Sequence, residues 1–226
     1  MDSQLPIPRI GIVDYGSGNL RSAFKAAERC GGACAYVNEP RQLDECDAIV
    51  VPGQGSFGDC ARNLRESGLW DPIVEWIADD RPFLGICVGY QLLFESSEES
   101  PGVPGLGVFA GTVRHFPATD LKIPHMGWNR LKTDPSDRLY RDLGSPLEVY
   151  FVHSYYPDPA DDSIVSATCS YGIDFAASVS RGNLSATQFH PEKSQRTGLA
   201  ILQNFIGSIQ NSQSEISNSN APSPRD

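Results

Sequence analysis

Residues 82–95 read PFLGICVGYQLLFE. An apolar run, 82–86, arrives at Cys87 between Gly85 and Gly89, and a stretch of helical composition, 88–95, follows. This is Gly-x-nucleophile-x-Gly at a strand that turns sharply into a helix, with cysteine where hydrolases carry serine. Such a turn pushes the thiol out of the sheet edge, and glycines two residues either side let neighbouring backbone approach. The helix N-terminus lends a partial positive charge that favours the thiolate. The amide of Val88 is then placed to meet a developing oxyanion. The competing reading is a cysteine buried in a core strand, with glycines for packing.

Upstream of this corner the chain alternates. Residues 9–14 form a short apolar run ending in the turn residues YGSGN, after which Asn19 can cap a helix that Gly31 and Gly32 stop. Strands are expected at 35–38 and 47–51, and helices at 57–66 and 72–78. This β-α-β-α order implies a single-domain α/β fold with a mainly parallel central sheet flanked by helices. Downstream, strand-like runs at 108–116, 128–131, 148–153, 164–170, 175–180 and 184–189 are separated by turn residues, so the C-terminal half adds a largely antiparallel region. A last helix is expected over 195–210, with Leu199, Leu202, Phe205, Ile206 and Ile209 on one face. Residues 1–8 read as an N-terminal extension and 9–210 as one folded domain. The stretch 211–226, NSQSEISNSNAPSPRD, carries one large apolar residue, Ile216, and reads as a disordered tail.

Composition narrows the function classes. The 226 residues are 40% hydrophobic and 20% charged, as in an ordinary globular domain. Asp plus Glu number 28 against 18 Lys plus Arg, a net charge of −10, which argues against a nucleic-acid binder. No apolar run approaches the ~18 residues of a membrane span, and the first residues lack the basic flank and apolar stretch of a signal peptide. A cytoplasmic protein is expected. Six cysteines, at 30, 34, 46, 60, 87 and 169, form no CxxC pair, and four histidines show no ligand spacing. Neither a disulfide, a metal nor a cofactor is expected. Apart from Cys87, the cysteines read as small buried apolar residues.

A cysteine nucleophile needs a base, usually histidine. His190 ends a strand and is followed by Pro191 and Glu192. In extended chain, residues two apart face the same side, so Glu192 can accept from one ring nitrogen of His190 and fix its tautomer. His153 is a rival base that also ends an apolar strand, but no acidic residue stands two positions away. A second glycine pattern, Gly53-Gln54-Gly55-Ser56-Phe57-Gly58, matches the dinucleotide fingerprint G-x-G-x-x-G, although it follows the third strand rather than the first and a proline precedes it. Alternatively this loop offers backbone amides at the strands' C-terminal edge that complete an oxyanion hole for Cys87.

Taken together, GICVGYQ and a later HPE resemble the class I glutamine amidotransferases, the Cys-His-Glu type, which implies their flavodoxin-like fold. IGIVDYGSGNLRS, VPGQGSFGD, GICVGYQLLFE, IPHMGWN, YFVHSYY and QFHPEKS occur in family order. IPHMGWN and the opening DYGSGN resemble, more narrowly, the glutaminase subunits of imidazole glycerol phosphate synthase, of histidine biosynthesis. The resemblance implies that Cys87 attacks the side-chain amide of L-glutamine to form a γ-glutamyl thioester and ammonia. His190 would act as base and then acid, and Glu192 would orient it. Gln91, Ser154 and Tyr155 would bind glutamine. Pro52-Gly53-Gln54-Gly55 matches an oxyanion strand that is usually Pro-Gly-Val-Gly. Gln54 departs from that valine, but the contact there is a backbone N–H. Val88 would supply a further amide. Asn129 and Lys193 match positions at the partner interface. The implied partner is a (β/α)8-barrel cyclase subunit in a heterodimer, receiving ammonia to make imidazole glycerol phosphate and an aminoimidazole carboxamide ribonucleotide. The alternatives are a glutaminase of pyridoxal phosphate or anthranilate synthesis, a non-catalytic paralogue, and a free-standing cysteine hydrolase.

Overall fold

The computed structural model describes residues 7–118 and 120–219, with side chains to residue 210. Among the described residues, nine strands form one sheet and three form a second, smaller one. In the large sheet β1 (Arg9–Val13), β2 (Ala33–Val37), β3 (Ala48–Gly53), β4 (Phe83–Cys87) and β12 (Leu184–Thr187) run parallel in the order β2-β1-β3-β4-β12. Every residue of β3, β4 and β12 is buried, so these strands read as near-continuous apolar or small runs rather than alternating ones. Beyond β12 the same sheet continues antiparallel through β11 (Ile173–Arg181), β10 (Val165–Tyr171), β7 (His125–Thr133) and β8 (Leu147–His153). There the sequence alternates: in β8, Leu147, Val149, Phe151 and His153 are buried while the residues between them are not. The expected parallel half and antiparallel half are thus one continuous sheet.

Helices α1 (Leu20–Arg29), α2 (Phe57–Glu66) and α3 (Trp70–Ala78) connect the parallel strands. Asn19 caps α1 by accepting from the Ser22 amide at 3.4 Å, and Ser56 caps α2 by accepting from the Asp59 amide at 3.1 Å. The last helix, α5, runs Gln195–Ser219 and packs beside α1, with Ile201, Leu202, Phe205, Ile206 and Ile209 buried and Leu199, expected on the same face, half-buried. Its backbone continues past the expected end at 210. No glycine or proline interrupts 211–219, and once a packed segment has nucleated a helix each added residue propagates it cheaply. Residues 220–226 of the expected tail, and 1–6 of the expected N-terminal extension, lie outside the described residues.

One expected element differs substantially. The stretch 88–95 is helical only over α4 (Val88–Gln91), and Phe94–Ser97 is a strand, β5. The following segment takes the carbonyls a longer helix would use. The Leu106 amide donates to Leu92 O at 2.7 Å, Phe109 to Leu93 O at 3.0 Å and Gly105 to Glu95 O at 3.0 Å. β5 pairs with β6 (Phe109–His115), and β6 with β9 (Tyr155–Pro159). The sequence hides β9 because Pro157 and Pro159 interrupt it. As an edge strand it tolerates them.

Candidate active site

Three neighbouring parallel strands end together, and each delivers part of the site. β3 ends at Gly53 opposite Cys87 in the ladder with β4, and Thr187 of β12 stands opposite Ile86. Ligand sites of open α/β sheets form at such carboxyl ends. Cys87 has φ 57° and ψ −109°, a region that L residues other than glycine rarely occupy. The corner is sharp enough that α4 folds directly onto β3. A Cβ on Gly89 would overlap the Val51 carbonyl, and one on Gly85 would lie 2.8 Å from the Gly89 carbonyl oxygen. The glycines are therefore what the turn requires, as the pattern suggested.

His190 and Glu192 converge on this corner. Nδ1 of His190 donates to Glu192 Oε1 at 2.8 Å, and both side chains are buried. Between them Pro191 opens a 3-10 turn, Pro191–Lys193, which closes the two-residue spacing more tightly than extended chain would. The other ring nitrogen, Nε2, has no hydrogen-bond partner among the described residues. Burial pulls His190 down, but the adjoining Cys87 sulfur and the Glu192 carboxylate outweigh it and raise its pKa to about 10. His190 is therefore held as an imidazolium at neutral pH, with a proton ready to give up.

A cavity of about 390 Å³ opens over the thiol. Its lining includes Gln54, Gly55, Cys87, Val88, Gln91, Ser154, Tyr155, His190 and Lys193, which brings together all but three of the residues singled out in the sequence. Glu192 stands behind His190. Gly53 lies just below the lining, where a Cβ would meet Gly89 N at 2.7 Å. Asn129 is away from the cavity on β7, donating to Ser170 O at 3.0 Å and toward His125 Nε2 at 3.3 Å.

His153 lines the cavity but cannot serve as the base. Its Nδ1 faces the Tyr155 carbonyl at 2.8 Å and its Nε2 faces His125 at 3.1 Å, so neither nitrogen is available. Burial, together with the neighbouring His125 and His190, drives its pKa down to about 3. The glycine fingerprint at 53–58 is no dinucleotide site either. The amides at the start of α2 that would receive a pyrophosphate are already bonded, Phe57 N to Glu99 Oε2 at 2.6 Å and Gly58 N to Ser100 Oγ at 3.0 Å. Among the other cysteines, Cys46, Cys60 and Cys169 are buried as expected, whereas Cys30 and Cys34 are half-buried.

The structure adds residues that the sequence reading did not single out. Gln188 Nε2 donates to Cys87 Sγ at 3.7 Å, and Gln188 Oε1 accepts from Gln91 Nε2 at 3.1 Å. Gln188 lies two residues before His190, so the same alternation that found Glu192 points to it. Glu99 places a carboxylate on the cavity wall. It stands in a turn, 42 residues from the amide it binds, where no local pattern marks it.

With Cys87 at a strained strand-to-helix corner beside the buried His190–Glu192 pair, the chain has the features expected of a class I glutamine amidotransferase. The family model described as Glutamine amidotransferase class-I matches residues 11–208, and the chain belongs to that family. Within it, the chain falls among the HisH subunits of imidazole glycerol phosphate synthase. It is 49% identical over 202 residues to the HisH protein from Geobacter metallireducens, covering 87% of this chain and 96% of the relative. It is 48% identical over 206 residues to the one from Nostoc punctiforme, covering 90% and 97%. Solved structures share the fold at lower identity. PurLQS from Thermotoga maritima aligns with a TM-score of 0.72 at 22% identity, covering 92% of this chain and 100% of that chain. A crystal structure described as a glutamine amidotransferase aligns with a TM-score of 0.69 at 21% identity, covering 89% and 98%. No helix among the described residues is long and apolar enough to cross a membrane.

Proposed function

We propose that the chain supplies ammonia from L-glutamine to a cyclase subunit of imidazole glycerol phosphate synthase, through Cys87, His190 and Glu192. The observation that carries this reading is the buried 2.8 Å contact between His190 and Glu192 beside a thiol at positive φ. The Cys87 sulfur, its proton given to His190 Nε2, attacks the side-chain carboxamide carbon of glutamine, and the carbonyl oxygen becomes an oxyanion. Backbone N–H groups of Val88 and of the 53–55 loop receive that charge, which is worth more here than in water because the site is enclosed. The C–N bond breaks as His190 Nε2–H passes its proton to the leaving nitrogen, releasing ammonia and leaving a γ-glutamyl thioester on Cys87. His190, now neutral, takes a proton from water as that water attacks the thioester. Glutamate leaves, and the proton is back on the imidazole. Glu192 holds Nδ1–H throughout, so Nε2 is always the nitrogen that moves the proton.

The cavity suits an amino acid. Gln91, Ser154 and Tyr155 line the wall beside the thiol, and the Glu99 carboxylate matches an α-ammonium. The partner is a cyclase subunit of (β/α)8 architecture that takes the ammonia and releases imidazole glycerol phosphate and the aminoimidazole carboxamide ribonucleotide. β7, which begins just after the cavity-lining Pro124, fits a docking role. On it Met126 is 61% and Trp128 47% exposed, and Asn129 lies on the same strand.

Ammonia release from glutamine, measured for the chain alone and with the cyclase subunit plus its nucleotide ligand, tests this reading. Weak release alone and strong stimulation by both is the expected result. Strong release indifferent to the cyclase would assign the site to another amidotransferase or a free-standing hydrolase. No release in either case, from folded protein, would make the chain a non-catalytic paralogue.

A further inference from the structure

Gln188 is wholly buried between the end of β12 and His190, and its carboxamide spans two parts of the site. Oε1 accepts from Gln91 Nε2 at 3.1 Å, and Nε2 donates to Cys87 Sγ at 3.7 Å, within reach of sulfur's larger radius. The backbone that carries it is clamped. The Gln188 amide donates to Ala177 O of β11 at 2.8 Å, and the His190 amide donates to Tyr150 O of β8 at 3.0 Å. The His190 carbonyl accepts from Ser194 Oγ at 2.7 Å. The proton transfers through His190 make no use of this amide.

Hydrogen-bond chemistry settles which end of Gln188 faces the sulfur. A carboxamide can be turned over without changing its outline, but the Tyr155 carbonyl can only accept. The Gln91 atom facing that carbonyl at 3.1 Å is therefore the NH2 group. The same nitrogen faces Gln188, so the Gln188 atom it meets is the oxygen. What remains to point at Cys87 is the Gln188 NH2. A main-chain carbonyl thus fixes, through two side chains, a hydrogen-bond donor on the nucleophilic atom.

A donor on sulfur matters more at one stage than at others. An N–H···S bond strengthens as the sulfur becomes negative, because charge-assisted hydrogen bonds are roughly twice as strong as neutral ones. In the γ-glutamyl thioester the sulfur is neutral. Water adds to the thioester carbon, its proton passes to His190, the C–S bond breaks, and the sulfur departs with the bonding electron pair. His190 is occupied with the water at that point, so the Gln188 N–H is the group standing on the sulfur as its charge develops. We propose that Gln188 is a catalytic residue that stabilises the departing Cys87 thiolate when the thioester is hydrolysed. The same bond holds the thiolate back slightly during attack on glutamine, so the net gain falls on the second half of the reaction. This rests on the glutaminase reading of the site and deepens it.

The test compares Gln188→Met and Gln188→Leu with Gln91→Met, each in complex with the cyclase partner plus its nucleotide ligand. Gln91→Met removes the amide that Gln188 holds but leaves the N–H on sulfur, so it reports what Gln188 does as a brace for Gln91. Turnover gives kcat and KM for glutamine. Acid quenching during turnover with carbon-labelled glutamine counts the label left on protein, which is the thioester. Both Gln188 variants should lower kcat about 10- to 100-fold, the range of a hydrogen bond to a charged group. Both should also raise the bound label toward full occupancy of Cys87, because a slowed second half lets the acyl-enzyme accumulate. Gln91→Met should raise KM without raising the label. Gln188 variants that copy Gln91→Met, or that lose turnover without gaining label, would overturn the proposal by making Gln188 a brace. Unchanged kcat would overturn it as well. Wild type that releases no ammonia, with no label trapped in any variant, would instead overturn the glutaminase reading itself, and this proposal with it.

Discussion

His125 Nδ1 lies 3.1 Å from His153 Nε2, and the direction of that hydrogen bond is fully determined. His153 Nδ1 faces a carbonyl, that of Tyr155, and must donate to it. Nε2 of His153 is therefore an acceptor and His125 Nδ1 the donor. His125 Nε2 must then accept, and it does so from the Asn129 amide. The Tyr155 carbonyl accepts in addition from Gln91 Nε2 at 3.1 Å, and Gln91 leads through Gln188 to the thiol. One directed chain of donors links Asn129 on β7 to the cavity wall. It requires both imidazoles to be neutral.

That requirement has a pH signature. Burial lowers His125 to about 4 and His153 to about 3. Both lie below the ~6.5 of an unfolded histidine, so between those values the unfolded chain binds more protons than the folded one. The stability this pair lends is fully present above ~6.5 and is lost as pH falls toward 4 and 3. The melting temperature should fall as the pH is lowered from 7.5 to 4.5, and should fall less steeply in His125→Gln. Equal slopes in the two proteins would exclude the pair as the source.

The strain at Cys87 separates catalysis from stability. Cys87→Ala should abolish ammonia release while the protein still folds and binds the cyclase. A non-glycine residue held at this φ and ψ costs on the order of 1–3 kcal/mol, against about 0.5–1 kcal/mol for the extra freedom of an unfolded glycine. Cys87→Gly should therefore melt above Cys87→Ala, by ~2–4 °C for each kcal/mol of net relief. Thermal unfolding of the two variants side by side decides the matter. An alanine variant that melts as high as the glycine one would mean the corner is unstrained.

Glu192→Gln keeps the shape of the pair and removes its charge. Turnover should fall on the order of 10²-fold, the low end of what positioned proton transfer contributes. The imidazolium should also lose its proton at lower pH, because Glu192 is one of the groups that raise His190. The pH dependence of Cys87 alkylation reads that shift directly. A variant with lower turnover but an unmoved alkylation profile would show that Glu192 only braces the turn.

How much of this was legible in the sequence follows from the range of the interactions. The corner at 85–89 and the pair His190–Glu192 are local, set by spacing along one strand or turn, and both were readable. So were the all-apolar strands β3 and β4, whose burial on both faces needs no knowledge of partners. The failures are non-local. The helix after Cys87 stops at Gln91 because residues 105–109 take its carbonyls, which nothing in 88–95 announces. Glu99 acts across folded distance on the backbone N–H of Phe57, and backbone groups leave no mark in a sequence. Tyr15 sat inside a recognised motif, but nothing local announces its bond to the Pro52 carbonyl, 37 residues away.

Glu99 gives the sharpest substrate test. Its Oε2 already accepts from the Phe57 amide at 2.6 Å, a bond a neutral carboxamide oxygen keeps, so Glu99→Gln should fold normally and lose only the charge facing the cavity. If that charge meets the α-ammonium of glutamine, KM should rise about 10-fold with little change in kcat, the pattern of lost ground-state binding. A glutamine analogue lacking the α-amino group should inhibit wild type and variant equally, since it offers no ammonium to either. An analogue that weakens in parallel with glutamine would place the effect in the shape of the cavity, and an unchanged KM would move the ammonium to the Ser154–Tyr155 side of the wall.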